Sequence, residues 1–99
     1  MLIEEYIPMG RENAISRRDL VARVGLPDRK VRRAIAAAQD RGVVILNLSD
    51  GEGYFRPTKN DRECLRAYIL QERARAMSIL KRTRLSRALL EDYDRGAIT

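Results

Sequence analysis

The chain has 99 residues but no histidine, no tryptophan and only one cysteine, Cys64. Without histidine, His-based acid–base catalysis, Ser-His-Asp triads and Cys-His nucleophiles are excluded. A single cysteine can form neither an internal disulfide nor a multi-cysteine zinc site, so we expect a reducing, cytoplasmic location. We expect Cys64 itself to be a small buried apolar side chain rather than a redox switch.

Long apolar runs are also missing, and the acidic residues are too scattered to indicate a metal or hydrolase site. Glu4 and Glu5 interrupt the first ten residues, so neither a signal peptide nor a membrane span is predicted. No phosphate-binding loop or dinucleotide motif is present, since residues 51–53 are typical of a turn. We therefore expect a binding protein and not an enzyme, with no cofactor, no metal and no small-molecule ligand.

Basic residues, in contrast, are plentiful. There are 20 Lys and Arg against 14 Asp and Glu, which gives a formal net charge of +6. The excess is largest over residues 11–41, where nine basic side chains stand against four acidic ones. Apolar residues make up 44%, enough for one small core. The positive charge favours a polyanion as partner, but whether it binds one depends on where the basic side chains lie on the fold.

Start and stop signals divide the first half of the chain into short elements. Residues 2–7 predict a short amphipathic helix that stops at Pro8, and residues 8–15 a loop whose end is extended. Ser16 is a candidate helix N-cap, Gly25 a candidate helix end, and Asp28 a candidate second N-cap. The apolar residues between these signals follow helical spacing: Leu20, Val21, Val24, Val31, Ala34, Ile35 and Ala38.

Strand-forming residues then replace the helical pattern. We predict strands over residues 43–48 and 54–56, joined by a glycine-rich turn. Because side chains alternate across a strand, one of Tyr54 and Phe55 is expected in the core. Residues 61–93 contain neither Pro nor Gly and predict a helix about 50 Å long, or two helices with a break near residues 83–86.

This order of elements is that of a winged helix-turn-helix: helix, short strand, helix, tight turn, helix and hairpin. We therefore predict a mainly α fold with a small β-hairpin. A winged helix-turn-helix domain is expected over residues 1–58, followed by a C-terminal helical extension over residues 59–95. The packing positions of the motif are filled by Leu20, Val24, Leu26, Val31 and Ile35.

The same residues carry a resemblance to a known family. Residues 14–57 resemble the N-terminal winged-helix domain of the biotin-operon repressor family, through a Ser-capped helix ending Val-Gly-Leu, a basic second helix ending Gly-Val, and a hairpin returning as Gly-Glu-Gly-Tyr-Phe-Arg-Pro. Most of the chain is also similar to small helix-turn-helix proteins encoded in bacterial prophages. Both resemblances imply double-stranded DNA as the partner. The first covers only the winged domain, so it implies no biotin chemistry.

Helical geometry selects a DNA-facing surface on the second helix, expected over residues 29–41. With about 100° per residue, the face away from the apolar stripe carries Arg29, Arg33 and Ala36. In a major groove, Arg pairs with guanine and Ala contacts a thymine methyl group. Basic side chains at the edges of this helix and at the start of the preceding one are better placed for phosphates. The predicted DNA-binding set is Arg17, Arg18, Arg29, Lys30, Arg32, Arg33 and Ala36.

Dimerisation is expected through the C-terminal helix, which is hard to bury on so small a domain. Helix-turn-helix proteins commonly bind two half-sites as dimers. The basic run over residues 81–87 is interpreted as a solvated face, with a second phosphate track as the alternative. The predicted homodimer interface is Leu65, Ile69, Ala76 and Leu80.

Three functions remain open from the sequence. The first is a DNA-binding homodimer, as a small transcriptional regulator or a phage-type accessory factor. The second is a protein-interaction adaptor on the same scaffold, because Asp50 and Glu52 at the hairpin tip would be repelled by phosphate. The third is RNA binding, for which four Tyr and one Phe offer few stacking residues.

Overall fold

The computed structural model describes residues 2–48 and 51–96, and the chain divides into two compact units, residues 1–66 and 67–99. The predicted mainly helical chain with a small hairpin and a long C-terminal helix is confirmed. The helices are α1 (Arg17–Val24), α2 (Asp28–Asp40) and α3 (Arg62–Asp94), and the strands are β1 (Leu46–Asn47) and β2 (Tyr54–Phe55). Short 3-10 turns cover Ile3–Tyr6, Arg11–Asn13 and Lys59–Asp61.

Helix α1 begins and ends at the residues that its sequence indicates. The Ser16 hydroxyl accepts a hydrogen bond from the Asp19 backbone N–H at 3.0 Å, which satisfies a donor that the first helical turn leaves unpaired. Gly25 follows the last turn with φ 77°, a left-handed conformation that glycine adopts without steric cost. Both predictions are confirmed.

The predicted N-cap of α2 is wrong by one residue. Pro27 occupies the cap position, with ψ 148°, and its carbonyl accepts from Lys30 and Val31 at 2.9 and 3.1 Å. Asp28 is therefore the first helical residue. Its carboxylate bonds to arginine side chains instead of capping the backbone, although an acid in the first turn still suits the helix dipole.

The core of the first unit forms where α1 and α2 pack against each other and against the first 3-10 turn. The predicted N-terminal helix is only this turn, Ile3–Tyr6. The most deeply buried members are Leu20, Val31 and Ala38, each 0% exposed. The buried cluster comprises Ile3, Ile7, Ile15, Leu20, Val31, Ile35, Ala38, Ile45 and Tyr54.

The hairpin is shorter than predicted, because backbone groups before β1 bond to the end of α2. The Val43 N–H donates to the Ala38 carbonyl at 3.0 Å, and the Ile45 carbonyl accepts from the Gln39 side chain at 3.0 Å. Only Leu46 and Asn47 pair with β2, antiparallel and in register with Phe55 and Tyr54.

Tyr54 and Phe55 are both buried, at 7% and 1% exposure, so the prediction that only one is buried is wrong. The physical reason is that this short strand is covered on both faces. Tyr54 belongs to the main core cluster, whereas Phe55 pairs with Leu46, which is also buried, on the opposite face. Ile15 is extended, as predicted, and exchanges two backbone hydrogen bonds with Tyr54 at 2.7 and 2.9 Å.

Helix α3 is preceded by a capped 3-10 turn that the sequence analysis missed. The Thr58 N–H donates to the Asp61 carboxylate at 2.8 Å, and the Thr58 hydroxyl accepts from the Asn60 N–H at 3.3 Å. Cys64, in the first turn of α3, is half-buried rather than buried, because it borders a shallow depression beside Leu48.

Helix α3 then continues without interruption through residues 83–86, so the one-helix alternative is the correct one. Thr83 and Ser86 are accommodated by hydroxyl groups that donate to the carbonyls of Leu80 and Arg82, at 2.7 and 3.0 Å. Among the described residues, neither this helix nor any other is long and apolar enough to cross a membrane.

Candidate nucleic-acid interface

Helix α2 separates apolar and basic side chains onto two faces. Val31, Ile35 and Ala38 are no more than 5% exposed and fix the inner face in the core. The two faces separate because the apolar residues recur at spacings of three and four, which places them on one side of an α-helix. The outer side is basic and solvated, and it exposes Arg29, Lys30, Arg32, Arg33 and Ala36 as predicted.

The far end of α2 is fixed by hydrogen bonds and one ion pair. The Arg41 guanidinium contacts both carboxylate oxygens of Glu4 at 2.9 Å, although the two residues are 37 positions apart. A backbone hydrogen bond is the largest cause that holds the pKa of the Glu4 carboxyl below its usual value; burial opposes it, and the Arg41 guanidinium lowers the pKa further. With the Gln39 bond to Ile45, these contacts hold α2 on the N-terminal turn and the hairpin.

Asp28 joins the start of α2 to the start of α1. Its carboxylate oxygens lie 3.0 Å from Arg17 Nε and 2.9 Å from Arg32 Nε. All three side chains are between 41% and 56% exposed, so each pair contributes no more than about 1 kcal/mol. These ion pairs therefore matter for position more than for stability. Arg17 and Arg32, which are both predicted to contact phosphate, share the Asp28 carboxylate and are held next to each other.

Arg17 also ties the returning arm of the hairpin to α1. The Arg17 backbone N–H donates a hydrogen bond to the Gly51 carbonyl at 2.9 Å. Gly51 has φ 96°, and a Cβ there would lie 3.1 Å from the Arg17 guanidinium. Glu52 lies at the same shallow depression as Arg17 and Arg18, so charge of both signs meets at this end of α1. Asp50, the other predicted acid of the tip, lies outside the described residues.

The remaining basic side chains of the predicted set are not neutralised in this way. Within residues 2–48 and 51–96, no ion pair involves Arg18, Arg29, Lys30 or Arg33. Three of these four belong to the outer face of α2. Three cations without an ion pair among the described residues therefore lie within the first two turns of that helix.

The predicted dimer residues divide between the two units. Leu65 is half-buried in the first unit. In the second unit, Ile69 and Leu80 are 49% and 51% exposed, and Ala76 is exposed as well. The structure thus brings three of the four residues together on one open helical face.

The sequence did not predict the cap before α3 or the two long-range ion-pair contacts, and only the cap has a signal in the sequence that could have revealed it. The cap before α3 has a local signature, a Thr followed three residues later by an acid, and could have been found. The Asp28 bridge and the Glu4–Arg41 pair have none, because their partners meet only through the fold. Metal binding gains no support, since no group of three or more Cys, Asp or Glu in the described part of the chain could hold an ion.

In comparisons with known proteins, the chain matches no protein-family model, no curated protein and no solved structure.

Proposed function

We propose that the first unit is a winged helix-turn-helix that binds double-stranded DNA through the outer face of α2. The observation that carries this proposal is the division of α2 into a fully packed inner face and an unneutralised basic outer face. A helix fixed so firmly can enter a major groove with little ordering cost, because its side chains project from a rigid support.

The roles of the basic residues follow from their positions. Arg29 and Arg33 lie one helical turn apart on the outer face, where a guanidinium can pair bidentately with guanine O6 and N7. Lys30 at the helix edge and Arg18 on α1 suit phosphate oxygens. Arg17 and Arg32 both form ion pairs with Asp28, so they act mainly by setting the spacing between α1 and α2.

The hairpin contributes support rather than DNA contact in this proposal. Glu52 is exposed beside Arg17 and Arg18, and a carboxylate there disfavours a close phosphate. The acidic charge and the exposed apolar residues of α3 also favour a second candidate function, a protein-interaction adaptor on the same scaffold. We favour DNA, because three of the four basic residues in positions 29–33 are exposed on α2 without an ion pair among the described residues, and a polyanion complements them.

Titration of random-sequence duplex DNA at several salt concentrations, with selection of the bound sequences, tests the proposal. A steep fall of affinity with salt and an enriched motif are expected of a regulator. A steep slope without a motif would indicate a sequence-independent accessory factor. An absence of binding at low salt would overturn the DNA proposal in favour of the adaptor.

The Lys30→Ala variant separates phosphate contacts from base contacts. Loss of one phosphate contact reduces the salt slope by about 1 and weakens all sequences alike. Arg62→Ala is the matched control, because Arg62 is exposed at the start of α3 and its loss changes the net charge by the same amount. An equal effect of both substitutions would mean that net charge alone, and not α2, governs binding.

A further inference from the structure

Helix α3 leaves an unusual amount of apolar surface in contact with water. Every side chain from residue 69 to residue 91 is exposed. A helix on which large apolar side chains remain solvated is stabilised by covering them with a partner. The exposed large apolar residues of this helix are Ile69, Leu70, Met77, Ile79, Leu80, Leu85, Leu89, Leu90 and Tyr93.

One stripe of α3 has an order that fits a second copy of itself. At about 100° per residue, its members fall within roughly a quarter of the helix circumference, at spacings of three and four residues. We call this stripe the α3 seam, and it consists of Ile69, Glu72, Ala76, Leu80, Thr83, Arg87 and Leu90.

The α3 seam is nearly symmetric when its direction is reversed about the point between Ile79 and Leu80. Reversal brings Ile69 onto Leu90, an apolar residue onto an apolar one. It brings Ala76 onto Thr83, a small residue onto another small one. It also brings Glu72 onto Arg87, an acid onto a base.

We propose that α3 pairs antiparallel with α3 of a second copy of this chain, with the two-fold axis crossing between Ile79 and Leu80. A two-fold axis perpendicular to the helices reverses the sequence in this way, so every match in the α3 seam is made twice. The proposal concerns the second unit alone and does not require the first unit to bind DNA.

Charge decides the orientation. In a parallel, in-register pair, Glu72 would face Glu72 and Arg87 would face Arg87, and like charges at a helix interface are unfavourable. The antiparallel pair replaces these contacts with two Glu72–Arg87 pairs. On one flank of the seam, offset by two residues from direct opposition, the antiparallel pair also places Arg66 near the partner's Glu91 and Arg73 near the partner's Arg84, one contact favourable and the other unfavourable.

Little has to be broken for this pairing to form. In the single chain Glu72 bonds to Arg75 at 3.3 Å, with side chains 45% and 59% exposed. An exposed pair three residues apart on a helix is a weak interaction. Glu72 can therefore exchange Arg75 for the partner's Arg87 while the apolar ends of the seam close over it.

Charge reversal at the seam tests the proposal in solution. Glu72→Arg and Arg87→Glu should each weaken self-association by about tenfold, because each turns two attractive contacts into repulsive ones. The double variant should regain the original affinity, as measured by sedimentation equilibrium. In a parallel pair neither single variant changes the sign of any contact, so unchanged affinity would overturn the proposal. Arg82→Glu, which lies about 120° away from the centre of the seam, is the control for Arg87→Glu because it changes the net charge by the same amount.

Cysteine cross-linking tests the register directly, in chains that also carry Cys64→Ser. An equal mixture of Ile69→Cys and Leu90→Cys chains should form a disulfide dimer on oxidation, whereas neither chain alone should. A dimer from either chain alone, or none from the mixture, would overturn the antiparallel register. No DNA is present in these measurements, so their failure leaves the DNA proposal intact, and failure of DNA binding leaves the pairing intact.

Discussion

Leu20 in α1 and Leu85 in α3 are the same residue on the same kind of element, yet their surroundings are opposite. Leu20 is 0% exposed, whereas Leu85 is 66% exposed. The first unit buries a core of apolar side chains between its own turns, helices and hairpin. In α3, by contrast, no described residue is buried. The difference separates a region that folds on itself from one whose apolar surface is free for association.

The largest expected difference in unfolding free energy is between the alanine variants of these two leucines. Leu20→Ala should cost about 2–5 kcal/mol of unfolding free energy, because it removes packed atoms and leaves a cavity. Leu85→Ala should change the unfolding free energy by no more than about 0.5 kcal/mol, because water already surrounds the side chain. Urea denaturation followed by circular dichroism measures both. Equal losses would mean that the two regions do not differ as described.

A smaller effect is expected for two serines with different hydrogen bonds. Ser16→Ala removes the N-cap of α1 and should cost about 1 kcal/mol of unfolding free energy. Ser86→Ala removes a hydroxyl that only bonds back to Arg82 within α3, and a better helix former should leave stability equal or raised by a few tenths of a kcal/mol. The same denaturation experiment checks the pair, and a clear loss from Ser86→Ala would contradict the account of α3.

The smallest effect concerns the pH dependence of the first unit. Because folding lowers the pKa of Glu4, its stabilising contribution is present above the unfolded value of 4.5 and is lost as pH falls through the folded value. Glu4→Gln should make the midpoint of urea unfolding less dependent on pH below 4.5, and Arg41→Gln should have a smaller effect in the same direction, because a backbone hydrogen bond is the largest cause of the lowered pKa. If Glu4→Gln retained the acid dependence of the parent, Glu4 would not be its source.

Local signals in the sequence predict the helices well and the hairpin less well. Ser16 and Gly25 act through backbone groups within four residues, so their roles can be derived from the chain alone. Asp28 is a good N-cap by type, but Arg17, which lies near it only in the folded chain, competes for its carboxylate. The strand over residues 43–48 fails for a similar reason, because the end of α2 takes the hydrogen bonds of Val43 and Ile45.

The candidate site follows the same division. The exposure of Arg29, Arg33 and Ala36 is predictable, because the helical period and the apolar stripe determine the opposite face. The neutralisation of Arg17 and Arg32 is not, because it depends on how α1 and α2 cross. Sequence reasoning thus identified the face, and the structure distinguishes the cations on it that are paired from those that are not.

The central claim is that the outer face of α2 reads DNA, and one measurement tests it most directly. Arg33→Ala and the charge-matched Arg62→Ala should be titrated with the selected duplex and with its scrambled sequence at one salt concentration. The account predicts that Arg33→Ala costs about 1–3 kcal/mol of binding free energy on the selected duplex and relaxes the sequence preference, while Arg62→Ala changes neither. Unaltered affinity and preference in Arg33→Ala would contradict it.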